Sequence, residues 1–328
     1  MFTPNVTKDT FQIIRNQASE IFIFPNLRHF QRPQVQVIFF AAVFHQCHLP
    51  DSFQHGIHIV DPHICDPVNV NLSILAPMTG AFLKAYHDAH YRGDNTVVAL
   101  TGSFSQEVLE DIRRRFSALP AGRAPAPVPA AYTPAFVATP KPIEQNHLTL
   151  AFPGLDYNSP KRFALQLLSA ILGGGVSSRL FQQVREQQGL CYSIYSYGAG
   201  HAETGVFCIY TALNKETEAK ALATIRRVID DFLAKGPTTE ELERAREQSK
   251  ANVIMGLEST QSRMSHAGRS LLFSGEILTP EQILDAYDRV TREDVVALAQ
   301  EIFNWEQASL SAVGQVRTAE EYRQLVLG

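Results

Sequence analysis

The chain has 328 residues, 45% of them hydrophobic, which is enough for about two domains with real cores. Lysine and arginine total 29 against 33 acidic residues, a formal charge of -4, so no nucleic-acid partner is expected. Four cysteines exclude a disulfide scaffold. The apolar run from Ile38 to Phe44 is too short to span a bilayer. The first residues show no signal peptide, so a cytoplasmic protein with no membrane contact is expected.

Residues 1–75 are unlike the rest. They carry four basic and five acidic residues, whereas residues 213–287, an equal length, carry ten and twelve. His45, Cys47, His48, His55, His58, His63 and Cys65 crowd together in this window. Imidazole and thiolate suit zinc. Their spacings match no standard site, so no metal is expected there. Residues 1–75 therefore read as an atypical or degenerate segment.

A repeat begins next. Met78 and Thr79 are followed by Leu83, Ala85, Tyr91, Val98 and Gly102; Val290 and Thr291 are followed by Val295, Ala297, Phe303, Leu310 and Gly314. Every pair lies 212 positions apart, as Thr79 and Thr291 do. Both copies read as a helix, a short turn and an apolar strand (96–100 and 309–313) ending in glycine. A constant offset without gaps points to duplication. It places the start of the first copy upstream of Met1, so the first unit, of which residues 76–117 are the tail, is expected to be truncated at its amino end.

Residues 118–143 hold seven prolines among alanines. Proline fixes φ and removes a donor, so this stretch is expected to run as an extended linker. Residues 144–328 then read as a complete second unit. A strand over 147–152 precedes a helix over 161–172 with Phe163, Leu167, Leu168 and Ile171 on one stripe. A hairpin over 193–197 and 206–212 follows, then helices over 217–234, 239–273, 280–287 and 292–303. Helices covering a mixed or antiparallel sheet give an α+β fold, with two homologous units.

Residues 171–192 carry the most information. Gly173, Gly174 and Gly175 end a helix. No Lys-Ser/Thr follows them, so they are read as a helix C-cap with close backbone packing rather than a phosphate loop. Arg185 lies near the end of the next helix and Tyr192 at the start of a strand. An arginine offers a rigid fork of donors and a phenol one more, a set that can orient a peptide carbonyl or stabilise an oxyanion. The residues alone leave open a surface arginine and a half-buried strand tyrosine.

The segment 171–192, the strand 145–153, and the segments 257–264 and 290–295 together resemble the insulinase, pitrilysin and mitochondrial processing peptidase family of zinc peptidases. The resemblance covers about residues 76–316 and matches the family's carboxy-terminal half. It implies that Arg185 and Tyr192 reach a peptide substrate, and that Gly173–Gly175 occupy the place of a glycine loop.

The family's inverted zinc motif, His-x-x-Glu-His, occurs nowhere in the chain. His87 and His90 are the nearest fragment, with the wrong spacing and no glutamate, and read as a solvated or packing pair. No catalytic residue, metal ligand or cofactor is therefore assigned to this chain, and it is not expected to cleave peptides alone. The expected role is a noncatalytic peptide-binding subunit or fragment complementing a zinc-bearing homologous chain, or forming a homodimer. The alternatives are a non-proteolytic scaffold and a non-functional truncated peptidase.

Overall fold

The structure, a computed structural model, describes residues 12–16, 19–23, 36–41, 79–122, 125 and 130–328. Strands β1 (Gln12–Asn16), β2 (Ser19–Ile23) and β3 (Gln36–Ala41) lie within the window expected to be atypical. Thr79 then caps α1 (Gly80–His90) by accepting from the Phe82 N–H. Strand β4 (Thr96–Thr101) leads to α2 (Gln106–Phe116), capped by Ser105 and closed by Arg113, Arg114 and Arg115, which complement its C-terminal dipole.

Next come β5 (Phe136–Pro140), β6 (Asn146–Pro153), α3 (Arg162–Gly173) and a π-helical turn, Phe181–Glu186. The hairpin β7 (Cys191–Gly200) and β8 (Gly205–Leu213) follows, then α4 (Glu218–Lys235). The helical stretch expected over 239–273 is two helices, α5 (Thr239–Gly256) and α6 (Thr260–Ser274). Ser259 starts the second by accepting from the Ser262 N–H. Helices α7 (Pro280–Arg289) and α8 (Arg292–Ile302), strand β9 (Ser309–Gly314) and helix α9 (Ala319–Leu327) complete the chain.

The first compact unit has a four-stranded sheet of order β1-β2-β4-β3. Its β4 is parallel to β2 and antiparallel to β3. Leu109 and Ile112 of α2 pack on Val98 and Leu100. Helix α6 lies against β3 and β4 and buries Met264 and Ala267. Residues 254–278 thus belong to this unit, although they follow it by more than a hundred positions.

The second unit has a five-stranded mixed sheet of order β5-β9-β6-β8-β7. Its fold is α+β, as the periodicities predict. Strand β5 lies inside the stretch expected as a linker, so the second unit begins before residue 144. It pairs in parallel with β9 at the sheet edge, where Pro140 needs no ladder donor. Tyr132 anchors the approach by donating to the Ala151 carbonyl, 3.2 Å away.

Helix α3 buries Leu165, Leu167, Leu168, Ile171 and Leu172, each adding about 1.5–3 kcal/mol over an exposed position. Phe163, expected on the same stripe, is half-buried and meets the Tyr287 ring edge-on at 5.1 Å. A buried carboxylate ties this unit together. Glu218 accepts from Asn146 Nδ2 at 2.6 Å, the Tyr322 hydroxyl at 2.7 Å and Arg317 Nε at 3.1 Å. With three donors its charge is satisfied out of water.

The duplication is visible in three dimensions. Helices α1 and α8 span matching residues at the 212-position offset, as do 3-10 turns at Gly93–Asn95 and Trp305–Gln307. Both helices have a threonine cap. Both following strands have one parallel and one antiparallel neighbour. Both end at a glycine with positive φ, +118° at Gly102 and +137° at Gly314, a conformation other residues adopt only with strain.

Candidate functional site

Arg185 and Tyr192 are held by two irregularities in otherwise regular structure. Arg185 lies in the π-helical turn, where the Gln187 N–H donates to the Gln182 carbonyl five residues back. Such turns widen a helix locally and recur at functional sites. Gly189, at φ +61°, then reverses the chain into β7. Cys191 pairs with Leu213 and Ser193 with Ala212, so Tyr192 is the extra residue of a β-bulge. A bulge re-aims the side chain it carries. Tyr192 is 70% exposed as a result.

The two side chains come together. The Arg185 guanidinium lies 4.7 Å from the Phe181 ring centroid and 5.8 Å from that of Tyr192. This is a cation between two aromatic rings, a contact worth about 0.5–1 kcal/mol at exposed sites. Its nearest carboxylate among the described residues is Glu186, at the weak limit of 4.0 Å. The guanidinium edge is thus oriented by its rings without being consumed by an acid. It keeps donors for a carbonyl or carboxylate. Cys191 precedes Tyr192 in the chain. Burial pushes its thiol up, although Thr211 and Arg185 pull the other way.

The three glycines separate by role. A Cβ on Gly173 would collide with the Ser196 backbone nitrogen, and one on Gly174 would sit 2.5 Å from the Ala170 Cα. Gly173 is required for close packing of α3 on β7, and Gly174 for the tight turn of the chain against the last turn of α3. A Cβ on Gly175 would meet only Gln248 Nε2, at 3.7 Å. Beside the loop, Gln166, Ser169, Gln248, Asn252, Val253 and Tyr287 line an open groove of about 370 Å³ with mixed polar and apolar walls.

An aromatic row on the same hairpin does not stand out in the sequence. Tyr195 lies 4.8 Å from Tyr210 and 6.0 Å from Tyr197, and the Tyr210 hydroxyl is 2.6 Å from His147 Nδ1. The alternation of Tyr195 and Tyr197, which places both on one face of β7, is the signal that marks it.

Zinc does not fit the described residues. No group of three His, Cys, Asp or Glu side chains among them is placed to hold a metal ion. His90 stacks on Tyr86 at 4.1 Å, with its Nδ1 2.9 Å from the Tyr86 carbonyl oxygen, and His87 stacks on Tyr91 at 4.6 Å, with its Nδ1 3.3 Å from Asp88 Oδ1. The histidine and cysteine cluster of residues 45–65 lies outside the described residues. No described helix is long and apolar enough to cross a membrane.

Comparison with known proteins agrees with the sequence blocks. The family profile described as Peptidase M16 inactive domain matches residues 77–249, just over half of the chain. An uncharacterized zinc protease of Bacillus subtilis, YmxG, is 33% identical over 71% of this chain and 58% of its own length. An uncharacterized zinc protease of Streptomyces coelicolor is 31% identical over 83% of this chain and 61% of its own. The chain thus spans about three fifths of these curated relatives. The crystal structure of a peptidase M16 inactive domain from Pseudomonas fluorescens superposes with a TM-score of 0.65 at 30% identity, covering 74% of this chain and 58% of that one. A protease from Helicobacter pylori shares the fold, with a TM-score of 0.64 at 21% identity over 74% of this chain and 60% of its own. By profile, by relatives and by fold, the chain belongs to the M16 peptidase family.

Proposed function

We propose that this chain is a noncatalytic, peptide-holding member of the family that complements a homologous, zinc-bearing chain in proteolysis. The observation that carries the reading is the Arg185–Tyr192 pair: Tyr192 exposed, Arg185 half-exposed and aligned by Phe181, with no strong acidic partner among the described residues. The names of the relatives support the reaction class. Because this sequence holds no inverted motif, the reading gives water activation to the other chain. A cytoplasmic setting belongs to the same proposal.

The chemistry follows from the donors. The Arg185 fork and the Tyr192 hydroxyl approach a carbonyl of a bound peptide and hold it in place for cleavage by the partner. As charge develops on that oxygen, a charge-assisted hydrogen bond strengthens. Loss of one such donor typically costs about 10²–10³ in kcat.

The test mixes the purified chain with a homologous chain bearing His-x-x-Glu-His and follows cleavage of a fluorogenic peptide. Activity should exceed that of the partner alone. The double variant Arg185→Ala/Tyr192→Ala should lose that gain by about two orders of magnitude, with thermal unfolding unchanged. No gain on mixing, or full gain with the double variant, overturns the reading.

A further inference from the structure

Arg179 shows how this fold holds a carboxylate. Its guanidinium lies 4.9 Å from the Phe232 ring centroid. Its Nε and Nη2 donate to the two carboxylate oxygens of Glu241, each at 2.7 Å. Two parallel hydrogen bonds to both oxygens of one acid are the geometry in which arginine binds a carboxylate most strongly. An aromatic ring covers a flat face of the guanidinium and leaves its edge, which carries every N–H, for an acceptor in the plane.

Arg185 has the same ring support without the acid. Among the described residues it alone lies against two aromatic rings, Phe181 and Tyr192. Its side chain is half-exposed. Glu186, 4.0 Å from its Nε, is beyond hydrogen-bond reach, and Arg185 donates to no described residue. The reaction proposed above brings a carboxylate to this edge. Hydrolysis joins the oxygen of water to the carbonyl carbon and breaks the carbon's bond to nitrogen. The leaving nitrogen takes one proton of that water, and the new acid releases the other at neutral pH. The single neutral oxygen held before cleavage becomes one of two charged oxygens. A bidentate fork fits that product better than the carbonyl that precedes it.

We propose that the Arg185 fork, stacked between Phe181 and Tyr192, is a binding site for the free carboxy terminus of a peptide, so that the chain holds the newly cut carboxylate product more tightly than the uncut peptide. The proposal rests on the complementation reading, in which Arg185 holds the carbonyl being cleaved, and names the ligand chemistry of that site. Release of this product then limits turnover of the assembled pair.

The experiment uses the full chain alone and a fluorescein-labelled peptide of alanine, leucine and serine in three forms. One has a free carboxy terminus, one a carboxy-terminal amide, and one is the amide with an internal glutamate. Fluorescence anisotropy at neutral pH should show the free acid binding about tenfold or more tighter than the amide. Arg185→Gln keeps donors but removes the charge and the fork, and should bring that ratio to within about twofold. Because Arg185 is half-exposed, this variant should keep the circular dichroism of the parent. Equal binding of acid and amide, no saturable binding of either, or a preference that survives Arg185→Gln overturns the proposal. So does an amide with internal glutamate that matches the free acid, since the fork would then read a side-chain carboxylate. Mixing with the zinc-bearing chain separates this proposal from the reading beneath it. A gain in cleavage with equal binding of acid and amide removes the carboxylate site and leaves complementation. A preference for the acid with no gain on mixing removes complementation and leaves a carboxy-terminus site.

Discussion

The two copies of the repeat share their local frame and differ in what surrounds it. Thr79 and Thr291 cap their helices through the same N–H, and Gly102 and Gly314 end their strands in the same backbone conformation. Yet Val295 and Leu298 are buried, whereas Leu83 at the matching place stands open. Local sequence is sufficient for the helix–turn–strand shape. Burial is a property of the neighbours, and only the second copy has α3 and α4 beside it.

The largest test of this contrast is truncation at matched positions. Leu298→Ala, at 1% exposure, should destabilise the chain by about 2–5 kcal/mol. Leu83→Ala should change stability by less than about 0.5 kcal/mol. Urea unfolding followed by circular dichroism measures both. Comparable losses would show that α1 is as well packed as α8 and would break the comparison.

A smaller effect tests the glycine run in the second unit. Gly173→Ala should cost about 1–3 kcal/mol, because the new methyl must displace the β7 backbone. Gly175→Ala should be close to neutral, since it meets a single movable side-chain atom. Differential scanning calorimetry on the two variants should separate them clearly.

The smallest effect lies in the caps. Thr291→Ala should lower stability by about 1 kcal/mol at neutral pH, because Thr291 and Asp294 cap each other. Hydrogen bonds from the Thr291 hydroxyl and N–H hold the Asp294 carboxyl below its ordinary value of 3.8. A carboxylate with a depressed folded pKa stabilises above its unfolded pKa and loses that contribution as pH falls through the folded value. The gap between parent and Thr291→Ala should thus narrow below about pH 4. At α1 the cap lacks the reciprocal side chain, because Phe82 stands where Asp294 does. Thr79→Ala should therefore show no such pH dependence.

Much of the second unit was legible before any coordinates. Caps, apolar stripes and glycine stops are local signals, so the helices over 161–172, 217–234, 280–287 and 292–303 appear within a few residues of their predicted bounds. The errors share one cause. The prolines of 118–143 suggested a linker, but the open edge of β9 recruits residues 136–140 as a strand. The apolar pattern of 239–273 suggested one helix, but its second part covers the sheet of the first unit. Neither pairing leaves a trace in nearby sequence.

The candidate site divides the same way. The family resemblance singled out Arg185 and Tyr192, while residue type and spacing alone showed no inverted zinc motif in the chain and revealed the duplication. Tertiary structure decided which glycines pack, how the π turn and the bulge present the pair, and why one copy of a repeated helix is buried and the other exposed. Those outcomes depend on which backbone lies opposite, and chain positions far apart in sequence determine that.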